Sequence, residues 1–180
     1  YTIAIRKILE HLSELVLDNI DEICFSLNAD YSTYGNKIVI LPFEYITEKY
    51  DKSRFLDTFT HEAGHALSNS LLKNKNYYVI IKSWHKTIMY YSLKYNKNLF
   101  FDSKNSQKDY SKYQMNDINE FFAEICSHIL NHYDELIEFV CKIEHDEAQI
   151  AYLNTIDFLS NYIIPFSIKE KNDILMYLQL

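Results

Sequence analysis

Two kinds of hydrophobic spacing divide this chain, and their order limits the folds it can adopt. Near the amino terminus the short apolar runs "ICFSL" and "KIVIL" are bounded by Asn, Asp and Gly and read as strands, the second introduced by "YSTYGN" and stopped near Pro42. An amphipathic helix over about 2–17 precedes them, apolar at Ile3, Ile5, Ile8, Leu9, Leu12, Leu15 and Val16. Later the spacing becomes helical, predicting helices at about 53–73, 77–95, 116–131, 134–145 and 147–162, a short one near 168–178, and a polar loop over about 100–113. Strands first and helices after predict an α+β fold dominated by helix.

A length of 180 residues, 48% of them hydrophobic, suits one domain with a real core, so residues 1–180 are expected to form a single unit. The net charge of −7 offers no basic stripe for phosphate contacts, which excludes nucleic acid as a natural partner and favours a basic peptide or protein. No run of about 18 apolar residues is present to span a bilayer. The first residues lack the zones of a signal peptide, and a start at Tyr1 suggests a processed or excised piece. Cys24, Cys126 and Cys141 match no disulfide framework or zinc ribbon and are read as buried free thiols.

The stretch "FLDTFTHEAGHALSNSLL" carries the chemistry. A His-Glu-x-x-His match arises by chance in roughly 2% of shuffled chains of this composition, so its helical context has to decide. At about 100° per residue, Phe55, Leu56, Phe59, Ala63, Ala66 and Leu67 fill one apolar arc, while His61 and His65 sit about 40° apart on the opposite side. Both imidazoles can then reach one metal ion, with Glu62 to the side as a base for an attacking water. Two histidines and a flanking base are what zinc-dependent peptide hydrolysis requires; the bland alternative is a solvated polar face.

Zinc in such a site needs a third protein ligand. Ser68 and Leu71 stand where a metzincin has glycine and histidine, so the ligand must lie further along. The best candidates are Glu120 and Glu124 in "NDINEFFAEICSHIL", one turn apart on one face. Asp117, Glu120, Glu124, His128 and Asn131 also make an ordinary polar stripe, and periodicity alone favours that plainer reading. An acid on this helix with another one turn later would nevertheless supply both a ligand oxygen and an acceptor behind a ligand imidazole. His128 and His132 repeat the spacing without a glutamate between them and are read as surface residues, so His128→Ala is expected to behave like the parent.

"HEAGHAL", then Tyr113 seven residues before Glu120 of "NEFFAE", then "AYLNTIDFLSNY" resemble the metallopeptidase domain shared by anthrax lethal factor and the secreted clostridial Pro-Pro endopeptidases. The resemblance covers about residues 37 to 162, and the tyrosine-to-glutamate spacing is its most specific element. It implies a zincin-like fold with a small sheet and a zinc endopeptidase, secreted or delivered to a host cell, acting on a protein or peptide; the chain is expected to be a monomer. By motif, His61, His65 and Glu120 would bind Zn²⁺, Glu62 would be the general base and Tyr113 would steady the oxyanion. Glu124 would be the carboxylate behind a ligand, with His61 the expected partner. The stretch between His65 and Tyr113 is longer than in those relatives, and their Gly- and Trp-rich substrate loop has no counterpart, so Pro-Pro specificity is not implied. Trp84 and His85 in this stretch suit a helix core or interface better than a substrate groove. The strand "KIVIL" is the conjectured edge for an extended substrate. The rival readings are a cytoplasmic regulatory peptidase with the same motif, which Tyr113 argues against, and an inactive toxin-type binding module, which the full residue set argues against.

Overall fold

The computed structural model describes residues 1–29, 32–47, 52–102 and 111–179, the side chains at 111–113 and 179 excepted. The elements are α1 (Thr2–Leu9), α2 (Glu14–Leu17), β1 (Glu22–Ser26), β2 (Thr33–Gly35), β3 (Ile38–Pro42), a 3₁₀ turn (Phe43–Ile46), α3 (Lys52–Leu71), α4 (Lys75–Lys94), α5 (Ser111–Asn116), α6 (Ile118–Asn131), α7 (Tyr133–Cys141), α8 (Asp146–Leu159) and α9 (Ile168–Gln179). This is an α+β architecture dominated by helix with one small sheet, as the order of periodicities predicts.

Four local expectations need correction. The single helix over 2–17 is two helices, because residues 11–13 leave the helical path to pair with a distant segment. Leu12 bridges Ile163, the Ser13 N–H donates to the Tyr162 carbonyl at 2.9 Å, and the Ile164 N–H donates to the His11 carbonyl at 3.0 Å. The segment "YSTYGN" does more than introduce a strand, since its Thr33–Gly35 forms β2 and pairs antiparallel with β3. Asn36 and Lys37, at φ of 50° and 63°, are the two left-handed residues of a tight hairpin turn whose twist matches its strands. The sheet order is therefore β1-β3-β2, with β1 parallel to β3. The conjectured substrate edge on "KIVIL" fails, because β3 is the central strand and both its sides are hydrogen-bonded to neighbours. Of the loop expected over 100–113, residues 103–110 lie outside the described residues, and its end is already helical in α5.

Val39 and Leu41 of β3 point into a core with Phe55, Leu56 and Phe59 of α3, closed by Ala4 and Ile8 of α1 and Ile174 and Leu178 of α9. A second core gathers Ala63, Ala66 and Leu67 of α3 with α4, α6, α7 and α8. The apolar arc of α3 thus serves two cores in succession, its first half against the sheet and its second against the helices. Its polar side lies along α6. Trp84 packs part-buried against the helical core, its ring 6.2 Å from that of Phe158, and His85 is buried. Among the cysteines only Cys126 is buried; Cys24 is half-buried and Cys141 exposed, which corrects the expectation of three buried thiols.

Candidate metal centre

Two local features bring α3 and α6 together. Asp117 caps α6 by accepting the Asn119 N–H at 2.7 Å, which starts the helix there and puts Glu120 in its first turn. Carboxylates are favoured at that end of a helix dipole. Gly64 of α3 lies directly against Ala123 of α6. A Cβ placed on Gly64 would come within 2.7 Å of the Ala123 Cα and 2.8 Å of its carbonyl oxygen, so no side chain fits at this crossing.

At that crossing the stripe read as an ordinary polar face of α6 meets the polar face of α3. It is buried there, not solvated. Thr60 Oγ1 lies 2.9 Å from Ser127 Oγ and accepts from Asn131 Nδ2 at 2.7 Å. The Asp57 carbonyl accepts from Ser127 Oγ at 3.1 Å, and its carboxylate accepts from His132 Nε2 at 3.1 Å. His128 and His132, expected on the surface, are only 5% and 7% exposed. The correction follows from the crossing: their face of α6 is apposed to α3 and to Phe101, whose ring stands edge-on to His128 at 4.7 Å.

One turn toward the start of α6, the same apposition gathers the predicted site residues. His61 Nε2 and His65 Nε2 face each other at 3.0 Å. The Glu120 carboxylate spans them, Oε2 lying 3.5 Å from His61 and Oε1 lying 3.5 Å from His65. Among the described residues these three form one group whose donor atoms lie within 4.8 Å of one another. Glu124 stands on the other side of the His61 ring, Oε1 being 3.1 Å from Nδ1 in an ion-pair contact without an aligned hydrogen bond. His61, His65, Glu120 and Glu124 are thus brought together, with Glu120 on the side where the imidazoles converge and Glu124 behind. Glu62 is buried beside them at 4% exposure. Tyr113 belongs to α5, and its side chain lies outside the described residues. The next residue is anchored, since His85 Nε2 donates to the Gln114 carbonyl at 2.7 Å and Gln114 Nε2 donates to the Phe101 carbonyl at 2.9 Å.

The electrostatics follow from this packing. Burial pulls the His61 imidazole down, but its close contacts with the Glu120 and Glu124 carboxylates and the negative charge of Glu124 and Glu62 outweigh that and raise it to about 10. His65 goes the other way, to about 4, because burial and the positive charge of His61 both act against a second proton. The bond from His61 holds Glu120 below the usual carboxylate range; burial pushes Glu124 up, yet His61 keeps it low as well. Burial lifts Glu62 to about 7, with His61 opposing and Glu120 and Glu124 reinforcing the rise. Of the two imidazoles, the proton is favoured on His61 and disfavoured on His65. A zinc ion suits the same nitrogen and oxygen donors, and both the donor set and the carboxylate behind one imidazole fit such a site.

The outward-facing donors are partly solvent-exposed, with side-chain exposures of 16% for His61, 18% for His65 and 33% for Glu120. Sequence reasoning missed Gly64 and the burial of His128. A glycine within a helix opposite a small residue on another is a packing signal, but it is readable only once the partner helix is known. Compared with protein-family models, with curated proteins and with solved structures, the chain matches none of them.

Proposed function

We propose that this chain is a zinc-dependent endopeptidase that hydrolyses a peptide bond in an extended segment of a protein substrate. The observation that carries the reading is the convergence of His61, His65 and Glu120 donor atoms within 4.8 Å, with Glu62 buried alongside at a pKa of about 7. His61, His65 and Glu120 would hold the zinc. When bound, zinc polarises a scissile carbonyl and acidifies the attacking water. Glu62, buried beside the ligands, would take a proton from the attacking water and return it to the departing amine, so it would serve as base and then as acid. Glu124 orients the His61 ring through Nδ1. Tyr113, on the resemblance to lethal factor-like peptidases, donates a hydrogen bond to the oxyanion. The zincin-like assignment and secretion or delivery to a host cell belong to this proposal and rest on the same resemblance; a monomeric state is proposed with them.

The test is direct. The purified protein should carry about one equivalent of zinc and cleave members of a diverse peptide library in a chelator-sensitive way. Glu62→Ala should keep the metal and lose at least about 10²–10⁴ in rate. Tyr113→Phe should lower kcat by about 10²–10³ with little change in KM. A protein that binds zinc but cleaves nothing in such a library would be a binding module instead.

A further inference from the structure

The polar chain behind the centre does not stop at Glu124. Its Oε1 faces His61, while its Oε2 lies 3.5 Å from Nε2 of His128, one turn further along α6. Both ring nitrogens of His128 are buried without a hydrogen-bond partner. Burial pulls this imidazole below its ordinary pKa, so the ring is neutral and carries one N–H. A buried N–H with nothing to donate to is costly, and the other neighbours offer little. Phe101 presents only a ring edge, and His132, its ring centre 6.0 Å away, already donates to Asp57. Among the described residues, the carboxylate oxygen that faces this ring is Glu124 Oε2, at 3.5 Å from Nε2.

We propose that His128 is a positioning residue for the metal centre: it clamps Glu124 so that the carboxylate holds His61 in the orientation in which Nε2 faces His65 and Glu120. The proposal rests on the zinc reading. A carboxylate with two lone-pair directions can satisfy two imidazoles at once, and a carboxylate fixed at one oxygen loses less freedom on orienting a ring with the other. The buried Glu124 would otherwise be free to turn about its last torsion.

The experiment is zinc affinity, measured by competition with a chromophoric chelator, for the full chain and four variants. His128→Phe keeps a ring against Phe101 but has no donor. His128→Gln restores an N–H. Glu124→Ala and the double variant Glu124→Ala/His128→Phe complete a cycle, and circular dichroism reports the fold. The expected result is a loss of roughly tenfold in His128→Phe, recovery in His128→Gln, and no further loss when His128→Phe is added to Glu124→Ala. Should His128→Phe not accumulate as folded protein, His128→Leu, which also lacks a donor, repeats the comparison. Parental affinity in the donor-free variant overturns the proposal and leaves the zinc reading intact. So does an equal loss in the Phe and Gln variants, or a loss that adds to that of Glu124→Ala, since each would mark His128 as packing only. If the parent binds no zinc at all, the zinc reading fails and this inference fails with it.

Discussion

Glu120 and Glu124 have the same chemistry and lie one turn apart, yet they meet different atoms of one imidazole. Glu120 faces Nε2 of His61 and Glu124 faces Nδ1. Glu120→Ala is therefore expected to strip zinc during purification, whereas Glu124→Ala should retain it with affinity weakened about 10–100-fold. Metal analysis and chelator competition check both, and the opposite pattern would exchange the two roles. The histidines were legible because one helix carries both at a four-residue spacing, which needs no tertiary knowledge to place them on one face. The two glutamates were legible as a pair, and choosing between them needed the resemblance. His128 was misread for a physical reason: spacing shows which residues share a face, and it does not show whether that face meets water or another helix. The expectation that His128→Ala would behave like the parent rested on a surface position, whereas the ring is buried against Phe101 and Glu124.

At the scale of elements, the site depends on how closely α3 and α6 approach. Gly64→Ala would place a methyl against the Ala123 backbone, which cannot swing aside as a side chain could, so the helices must separate. The expected cost is about 1–3 kcal/mol, larger than the gain in helix propensity of up to about 1 kcal/mol. Thermal denaturation should show a Tm lower by several degrees. Zinc affinity should fall with it, because the histidines ride on α3 and the glutamates on α6; unchanged Tm and affinity would show that the crossing relaxes freely. Below the centre, Thr60→Val would remove the hydroxyl that meets Ser127 Oγ and accepts from Asn131 Nδ2. Ser127 Oγ keeps its bond to the Asp57 carbonyl and Asn131 Nδ2 its longer one to Ser127 Oγ, so the loss should be about 0.5–1.5 kcal/mol, measured by urea denaturation of the zinc-free protein.

For the molecule as a whole, the buried charges at the centre tie stability to pH. His61 has an ordinary value of 6.5 and is raised to about 10 in the folded protein, so over that window the folded state keeps a proton that the unfolded chain has given up. Its contribution is complete below 6.5 and lost as pH rises through about 10. The zinc-free protein should thus lose stability between about pH 7 and 9.5, and His61→Gln should flatten that decline. Zinc requires the neutral imidazole, so loading the metal should abolish the His61 slope too. Urea denaturation at the two pH values is the check, and an identical decline in parent and His61→Gln would refute the attribution. By itself the sequence determined the α+β class, six of the helices to within a few residues, and the residues able to act as donors, because periodicity and i, i+4 spacing are local properties of the backbone. Only the tertiary structure decided that 2–17 breaks where residues 11–13 pair with the segment around Ile163, that β3 is central, and that Glu124, His128 and Asn131 of the polar stripe are buried. Each of those outcomes depends on which distant segment occupies a free backbone edge or helix face, and that is set by packing between elements far apart in the chain.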